Sequence, residues 1–190
     1  MDAAPSSSTA VERTEDQVRC LIPAPELAER VAELAREISA DRADEPLLVV
    51  GVLQGAYVFM ADLVRHLTIP VRCDFVMVST YGDDTVTSGR VKLHLDVTQP
   101  VEGKHVLLVD DIVDTGVSIA WLIEHLTRKN PASLRVCSLL NKPARRRVPV
   151  KIDYVGFEVP DRFVVGYGID CAGRHRELPF VGYVSTDEQS

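Results

Sequence analysis

The chain has 190 residues, 46% of them hydrophobic and 26% charged, a composition that suits one globular domain large enough to bury a sheet and its covering helices. Its formal net charge of -7 argues against a nonspecific nucleic-acid or anionic-membrane surface, while leaving room for a local basic pocket that holds a small polyanion. No apolar run approaches the ~20 residues that span a bilayer, no signal-peptide pattern opens the chain, and Cys20, Cys73, Cys137 and Cys171 form no C-x-x-C pair. The expectation is a cytoplasmic protein with a small-molecule partner and with neither a zinc site nor a disulfide framework.

Residues 1–17 are rich in Ala, Ser, Thr, Asp and Glu without apolar period and predict a disordered tail, leaving 18–190 as a single domain. From Pro25 onward, Leu27, Val31, Leu34 and Ile38 recur at helical spacing, with Glu26 in the first turn where the helix dipole favours an acid. Leu47–Leu53 reads as a buried strand, followed by the turn Gln54-Gly55-Ala56, a helix to about Leu67, and a strand over 71–79. The segment 80–89, Thr-Tyr-Gly-Asp-Asp-Thr-Val-Thr-Ser-Gly, offers almost nothing to anchor it in a core and predicts a flap that is mobile when empty. Val91, Leu93, Leu95 and Val97 then alternate with Lys92, His94 and Asp96, the pattern of a strand with one wet face.

After a turn at 99–104, the short apolar run 106–109 predicts a strand buried on both faces. A helix over about 118–128 stops at Asn130-Pro131, and 134–140 is a further strand. Short strands are predicted over 151–158, 163–165 and 181–184. The fold class is therefore α/β: a mostly parallel central sheet flanked by helices, with a small hood formed largely by 151–190 and the flap beside it.

The most informative run is His105-Val-Leu-Leu-Val-Asp-Asp-Ile-Val-Asp-Thr-Gly-Val-Ser118, which joins a buried strand, three acids and a glycine turn opening a helix. Ligands gather at such strand ends. Asp114, Thr115, Gly116, Val117 and Ser118 supply small side chains and free N–H groups at a helix start, which suit a phosphate monoester. Carboxylates beside a phosphate repel it unless hydroxyls or a divalent cation stand between them. A sugar phosphate with bound Mg2+ resolves the conflict, with Asp110 and Asp111 accepting from ribose hydroxyls or ligating the metal, and Asp114 facing the reacting centre.

Val-Leu-Leu-Val-Asp-Asp-Ile-Val-Asp-Thr-Gly resembles the 5-phosphoribosyl 1-pyrophosphate (PRPP) motif of type I phosphoribosyltransferases. The similarity covers about 24–184 and is to the hypoxanthine-guanine branch of that family. The resemblance implies a type I phosphoribosyltransferase fold and purine salvage. The reaction would be Mg2+-dependent transfer of phosphoribosyl from PRPP to N9 of hypoxanthine or guanine, giving IMP or GMP and pyrophosphate. It further implies that Asp114 is the general base, that Gln54, Gly55 and Arg176 bind pyrophosphate, and that Thr80 and Tyr81 begin the catalytic flap. Gln54 stands where the family usually has a basic residue, and a non-proline cis peptide often precedes the glycine of that loop.

By the same resemblance Lys142 donates to the 6-oxo group of the purine, Phe163 stacks on the base, Val164 offers backbone contacts to its edge, and Asp170 joins Asp110 and Asp111 as a metal ligand. An ammonium has three donors and no acceptor, so Lys142 selects a 6-oxo over a 6-amino base. The block Arg145-Arg146-Arg147 reads as a solvated loop or subunit contact. A homodimer or homotetramer is implied as well. Two alternatives stay open: an enzyme preferring xanthine, and a PRPP-sensing regulator that binds nucleic acid on the same fold.

Overall fold

The computed structural model describes residues 18–42, 45–81 and 90–184, so the expected tail 1–17 and most of the expected flap lie outside the described residues. Helix α1 (Ala24–Ala40) buries Leu27, Val31, Leu34, Ala35 and Ile38 along one stripe. Pro25 sits in its first turn, where a missing N–H forfeits no helical bond. Strand β2 (Leu47–Leu53) is buried along nearly its whole length, α2 spans Tyr57–His66, and β3 runs from Val71 to Tyr81. Strand β4 (Arg90–Leu95) returns antiparallel along β3.

Strand β5 (His105–Val113) runs four residues past the apolar stretch that predicted it, carrying Asp110 and Asp111 inside the strand. Three pairings carry it there, Asp110 opposite Ser138, Ile112 opposite Leu140 and Val113 opposite Asn141 of β6 (Ser133–Asn141). Helix α3 (Val117–Thr127) follows β5, and β6 leads through a single helical turn at Pro143–Arg145 to β7 (Tyr154–Glu158). The larger sheet has the order β4-β3-β2-β5-β6-β7, parallel except for β4.

Alternation decides the layers. Leu47 and Val49 of β2, with Leu107 and Val109 of β5, pack into the cluster shared with α1 and α2. Leu48, Val50 and Val52, with Val106 and Leu108, pack against Ile119, Leu122 and Leu126 of α3. With helices on both faces, the two central strands read as continuous apolar runs.

A second sheet holds β1 (Val18–Ile22), β9 (Val181–Val184) and β8 (Val164–Val165) in the order β1-β9-β8. This arrangement differs from the sequence expectation in two respects. Strand β7 pairs with β6 as the edge of the large sheet, so of the segment 151–190 only residues beyond Glu158 enter the hood sheet. It also enlists β1, which was not predicted: Val18 to Ile22 has no apolar alternation and gains its partners from the far end of the chain.

Candidate active site

Strand order reverses between β2 and β5: from β2 the chain builds outward through β3 and β4, and from β5 in the other direction through β6 and β7. A crevice opens outside the carboxyl ends of strands at such a point. Here those ends carry Leu53-Gln54-Gly55 and Asp110 through Ser118. A cleft of about 210 Å³ lies there, walled by Val52, Val78 and the residues Asp110 to Gly116 together with Ser118 and Ile119.

The turn into α3 depends on Gly116, whose φ of 84° places it in the left-handed region at the helix N-cap. A Cβ there would also meet the carbonyl oxygen of Val148 at 2.4 Å. The Thr115 hydroxyl accepts from the Val117 N–H at 3.5 Å, and the Thr115 carbonyl accepts from the N–H groups of Arg147 and Val148 at 2.9 and 3.0 Å. Arg146 completes the brace: its Nε donates to the Asp114 carbonyl at 2.9 Å, and its Nη2 donates to the Val113 carbonyl at 2.9 Å and to Asn141 Oδ1 at 2.6 Å. The arginine block expected to be a solvated loop or subunit contact thus turns one member inward to hold the anion loop, a role that a run of like charges gives no hint of.

Asp110 is buried, with Asp111 next to it. Burial, and then repulsion from Asp111, hold the Asp110 carboxyl well above the ordinary carboxylate range. Burial raises Asp111 too, against hydrogen bonds from Asp110 and the backbone and the charge of Arg176. Gly55 stands against this pair, since a Cβ on it would lie 1.9 Å from Asp111 Oδ2. The cis peptide of this loop joins Leu53 to Gln54, one residue earlier than the bond before glycine.

Arg176 donates from Nη1 to the Gly168 carbonyl at 2.6 Å and from Nη2 to Gln54 Oε1 at 3.4 Å, and pairs with Asp170 Oδ1 at 2.6 Å. The structure therefore joins Gln54, Gly55, Asp111, Asp170 and Arg176 into one patch. The expected metal ligands Asp110, Asp111 and Asp170 do not form a ready-made cage, because Asp170 is turned to Arg176 and to the Gly173 N–H at 2.7 Å. No cluster of three His, Cys, Asp or Glu side chains able to hold a metal exists among the described residues. The donor set still fits a hard divalent cation: buried Asp110 and half-buried Asp111 are adjacent, and only Asp111 feels the charge of Arg176, so a cation that takes the rest of its shell from phosphate oxygens and water would meet unneutralised carboxylate there.

Of the residues expected to meet the purine, Lys142 is buried and its Nζ lies 3.7 Å from Asp114 Oδ2 and 3.3 Å from Asp161 Oδ1. Asp114 Oδ1 is buried with no hydrogen-bond partner. Phe163 is 58% exposed, a ring with an open face, while Val164 is buried and paired to Tyr183. Thr80 is exposed opposite Val91, Tyr81 ends β3 opposite Arg90, and 82–89 fall outside the described residues.

Residues 21–171 match the phosphoribosyl transferase domain model, and the chain belongs to that family. It is 43% identical over 167 residues to the hypoxanthine-guanine phosphoribosyltransferase of Bacillus subtilis, covering 88% of this chain and 93% of the relative. It is 45% identical over 162 residues to the hypoxanthine phosphoribosyltransferase of Haemophilus influenzae, covering 84% and 90%. A crystal structure of a hypoxanthine-guanine phosphoribosyltransferase from Bacillus anthracis, with a HEPES molecule in its active site, superposes with a TM-score of 0.86 at 44% identity, over 89% of this chain and 100% of that one.

Proposed function

We propose that the chain is a 6-oxopurine phosphoribosyltransferase of purine salvage, transferring the 5-phosphoribosyl group of PRPP to N9 of hypoxanthine, guanine or both with release of pyrophosphate. The observation that carries this reading is the cleft at the ends of β2 and β5, where a braced loop at a helix start, the adjacent carboxyls of Asp110 and Asp111, and Asp114 with one free oxygen line a single space.

The N–H groups opening α3 and the Ser118 hydroxyl hold the 5-phosphate, and Asp110 and Asp111 face the ribose hydroxyls. Gly55 lets the backbone approach pyrophosphate, and the planar guanidinium of Arg176 serves two of its oxygens. Mg2+, held by Asp110, Asp111 and Asp170, would neutralise charge on the leaving pyrophosphate. Phe163 supplies a stacking face, Lys142 donates to O6 and the Val164 backbone meets the base edge. Asp114 Oδ1 takes the proton from N7 as N9 bonds to the sugar. Thr80 and Tyr81 begin the segment that excludes water from the cationic sugar. A homodimer or homotetramer in the cytoplasm completes the reading, on the family resemblance alone.

An ultraviolet assay with PRPP, Mg2+ and each of hypoxanthine, guanine, xanthine and adenine tests the proposal. Turnover is expected with hypoxanthine or guanine, and replacing Asp114 by Asn should lower kcat by about 100-fold or more with little change in PRPP affinity. Preference for xanthine would correct the substrate; no turnover, with tight RNA or DNA binding, would replace the enzyme by a PRPP-sensing regulator.

A further inference from the structure

Four charged side chains meet on the purine side of the cleft. Lys142 Nζ lies 3.7 Å from Asp114 Oδ2 and 3.3 Å from Asp161 Oδ1. Arg145 reaches the same two oxygens, Nη1 lying 3.7 Å from Asp114 Oδ2 and Nε 3.9 Å from Asp161 Oδ1. The result is a closed ring in which cation and anion alternate, with no net charge. It ties together the β5–α3 loop, the turn after β6 and the hood turn two residues before Phe163. Three of the four separations, at 3.7, 3.7 and 3.9 Å, exceed hydrogen-bond length, so the ring is assembled without being locked.

Within this ring only Lys142 is buried; Arg145 and Asp161 have side chains 51% and 55% exposed. A buried ammonium needs compensating charge, and Asp161 and Asp114 provide it from opposite sides. Both ring contacts of Asp114 fall on Oδ2, while Oδ1 is buried and unpartnered. One oxygen is thus held and the other is left to accept a proton.

We propose that Arg145 and Asp161 are positioning residues for the purine half of the reaction, closing a ring of alternating charge that fixes Asp114 through Oδ2 and presents Lys142 to the 6-oxo group. The proposal rests on the phosphoribosyl transfer to a 6-oxopurine argued above. When Lys142 turns to O6, Arg145 keeps Asp114 oriented; when Asp114 accepts its proton, Asp161 remains as counter-charge to the two cations. Neither residue lines the cleft proposed to hold the sugar and phosphates, so PRPP should not sense their loss.

Steady-state kinetics on the full chain, varying purine and PRPP separately, tests this with Arg145→Gln, Asp161→Asn and the double variant. Each single variant unbalances the ring by one charge and should raise the purine KM about tenfold, with the PRPP KM within about twofold of wild type. The double variant leaves Lys142 and Asp114 as a neutral pair and should be less impaired than the product of the two single effects. Arg145→Lys should recover most of the loss. Arg145 is half exposed, so Arg145→Gln should melt near the wild type. Asp161→Asn withdraws one of the two counter-charges of buried Lys142 and should melt lower, without stranding that ammonium because Asp114 remains. An unchanged purine KM, a PRPP KM that rises in step with it, or effects that simply multiply would overturn the proposal. A wild-type chain that turns over no purine would overturn the underlying reaction instead, before any variant is compared.

Discussion

Gly55 illustrates how little room is left on the side proposed to bind pyrophosphate. Its missing side chain is the space that Asp111 occupies, because a Cβ would sit 1.9 Å from Oδ2 and 2.4 Å from Cγ of that residue. The obstacle is a carboxylate rather than backbone, so Gly55→Ala is expected to fold and to displace Asp111 instead. Displacement would cost the approach of the loop to pyrophosphate as well as the Asp111 contact to ribose or metal. We expect the PRPP KM to rise about tenfold, equivalent to about 1.4 kcal/mol, with the purine KM nearly unchanged in the same assay. A PRPP KM equal to that of wild type would remove Asp111 from the site. Asp114 presents the complementary case, in which one free oxygen matters more than a tight fit.

At the scale of elements, the anion loop between β5 and α3 is stiff because a second segment grips its carbonyls. Arg146 bonds to the backbone of Val113 and Asp114 and to Asn141, so it fastens the loop to the end of β6. Arg146→Ala leaves those half-buried carbonyls without their charged donor, a loss of about 2 kcal/mol, which for a domain of this size lowers Tm by roughly 4–8 °C. Turnover should fall with it, since a loosened loop misplaces Asp114. Arg146→Lys should rescue little, because an ammonium cannot span the carbonyls that a planar fork reaches. Calorimetry beside kinetics decides: a variant with wild-type Tm and turnover would show that the loop holds itself.

The elements whose signals are local were legible in the sequence. Helix α1 declares itself by the spacing of Leu27, Val31, Leu34 and Ile38, and β2 by its unbroken apolar run. The anion loop is legible because three acids, a Thr-Gly turn and a helix start are contiguous. What escaped depends on partners distant in the chain. Strand β1 exists through β9, the assignment of β7 to the large sheet depends on β6, and Arg146 cannot be told from Arg145 and Arg147 until the loop it grips is folded beside it. Asp161 is likewise an ordinary turn residue until Lys142 lies 3.3 Å away.

For the whole molecule, the site is a cost that the rest of the fold carries. Asp110 and Asp111 lie inside the sheet's central strand, with their carboxyls held above the ordinary value near 3.8 by burial and, for Asp110, by repulsion from its neighbour. The sign follows from proton uptake. Between the ordinary value and the raised one, the native state keeps protons that the unfolded chain has released, so stability falls as pH rises through that window, and the penalty persists above it. Well below 3.8 both states are protonated and the pair contributes no difference. Asp110→Asn removes the most displaced of these charges while keeping the shape of the side chain. The ligand-free variant should therefore melt higher than wild type at pH 8, by about 2–4 °C for each kcal/mol recovered, and no higher at pH 3. On the proposed function, the same substitution should weaken PRPP binding in the presence of Mg2+, since the charge that destabilises the empty fold is the one that the ligand and a divalent cation would neutralise. Equal shifts at both pH values would mean that packing rather than ionisation sets the difference, and a lower Tm at pH 8 would reverse the sign assigned to the pair.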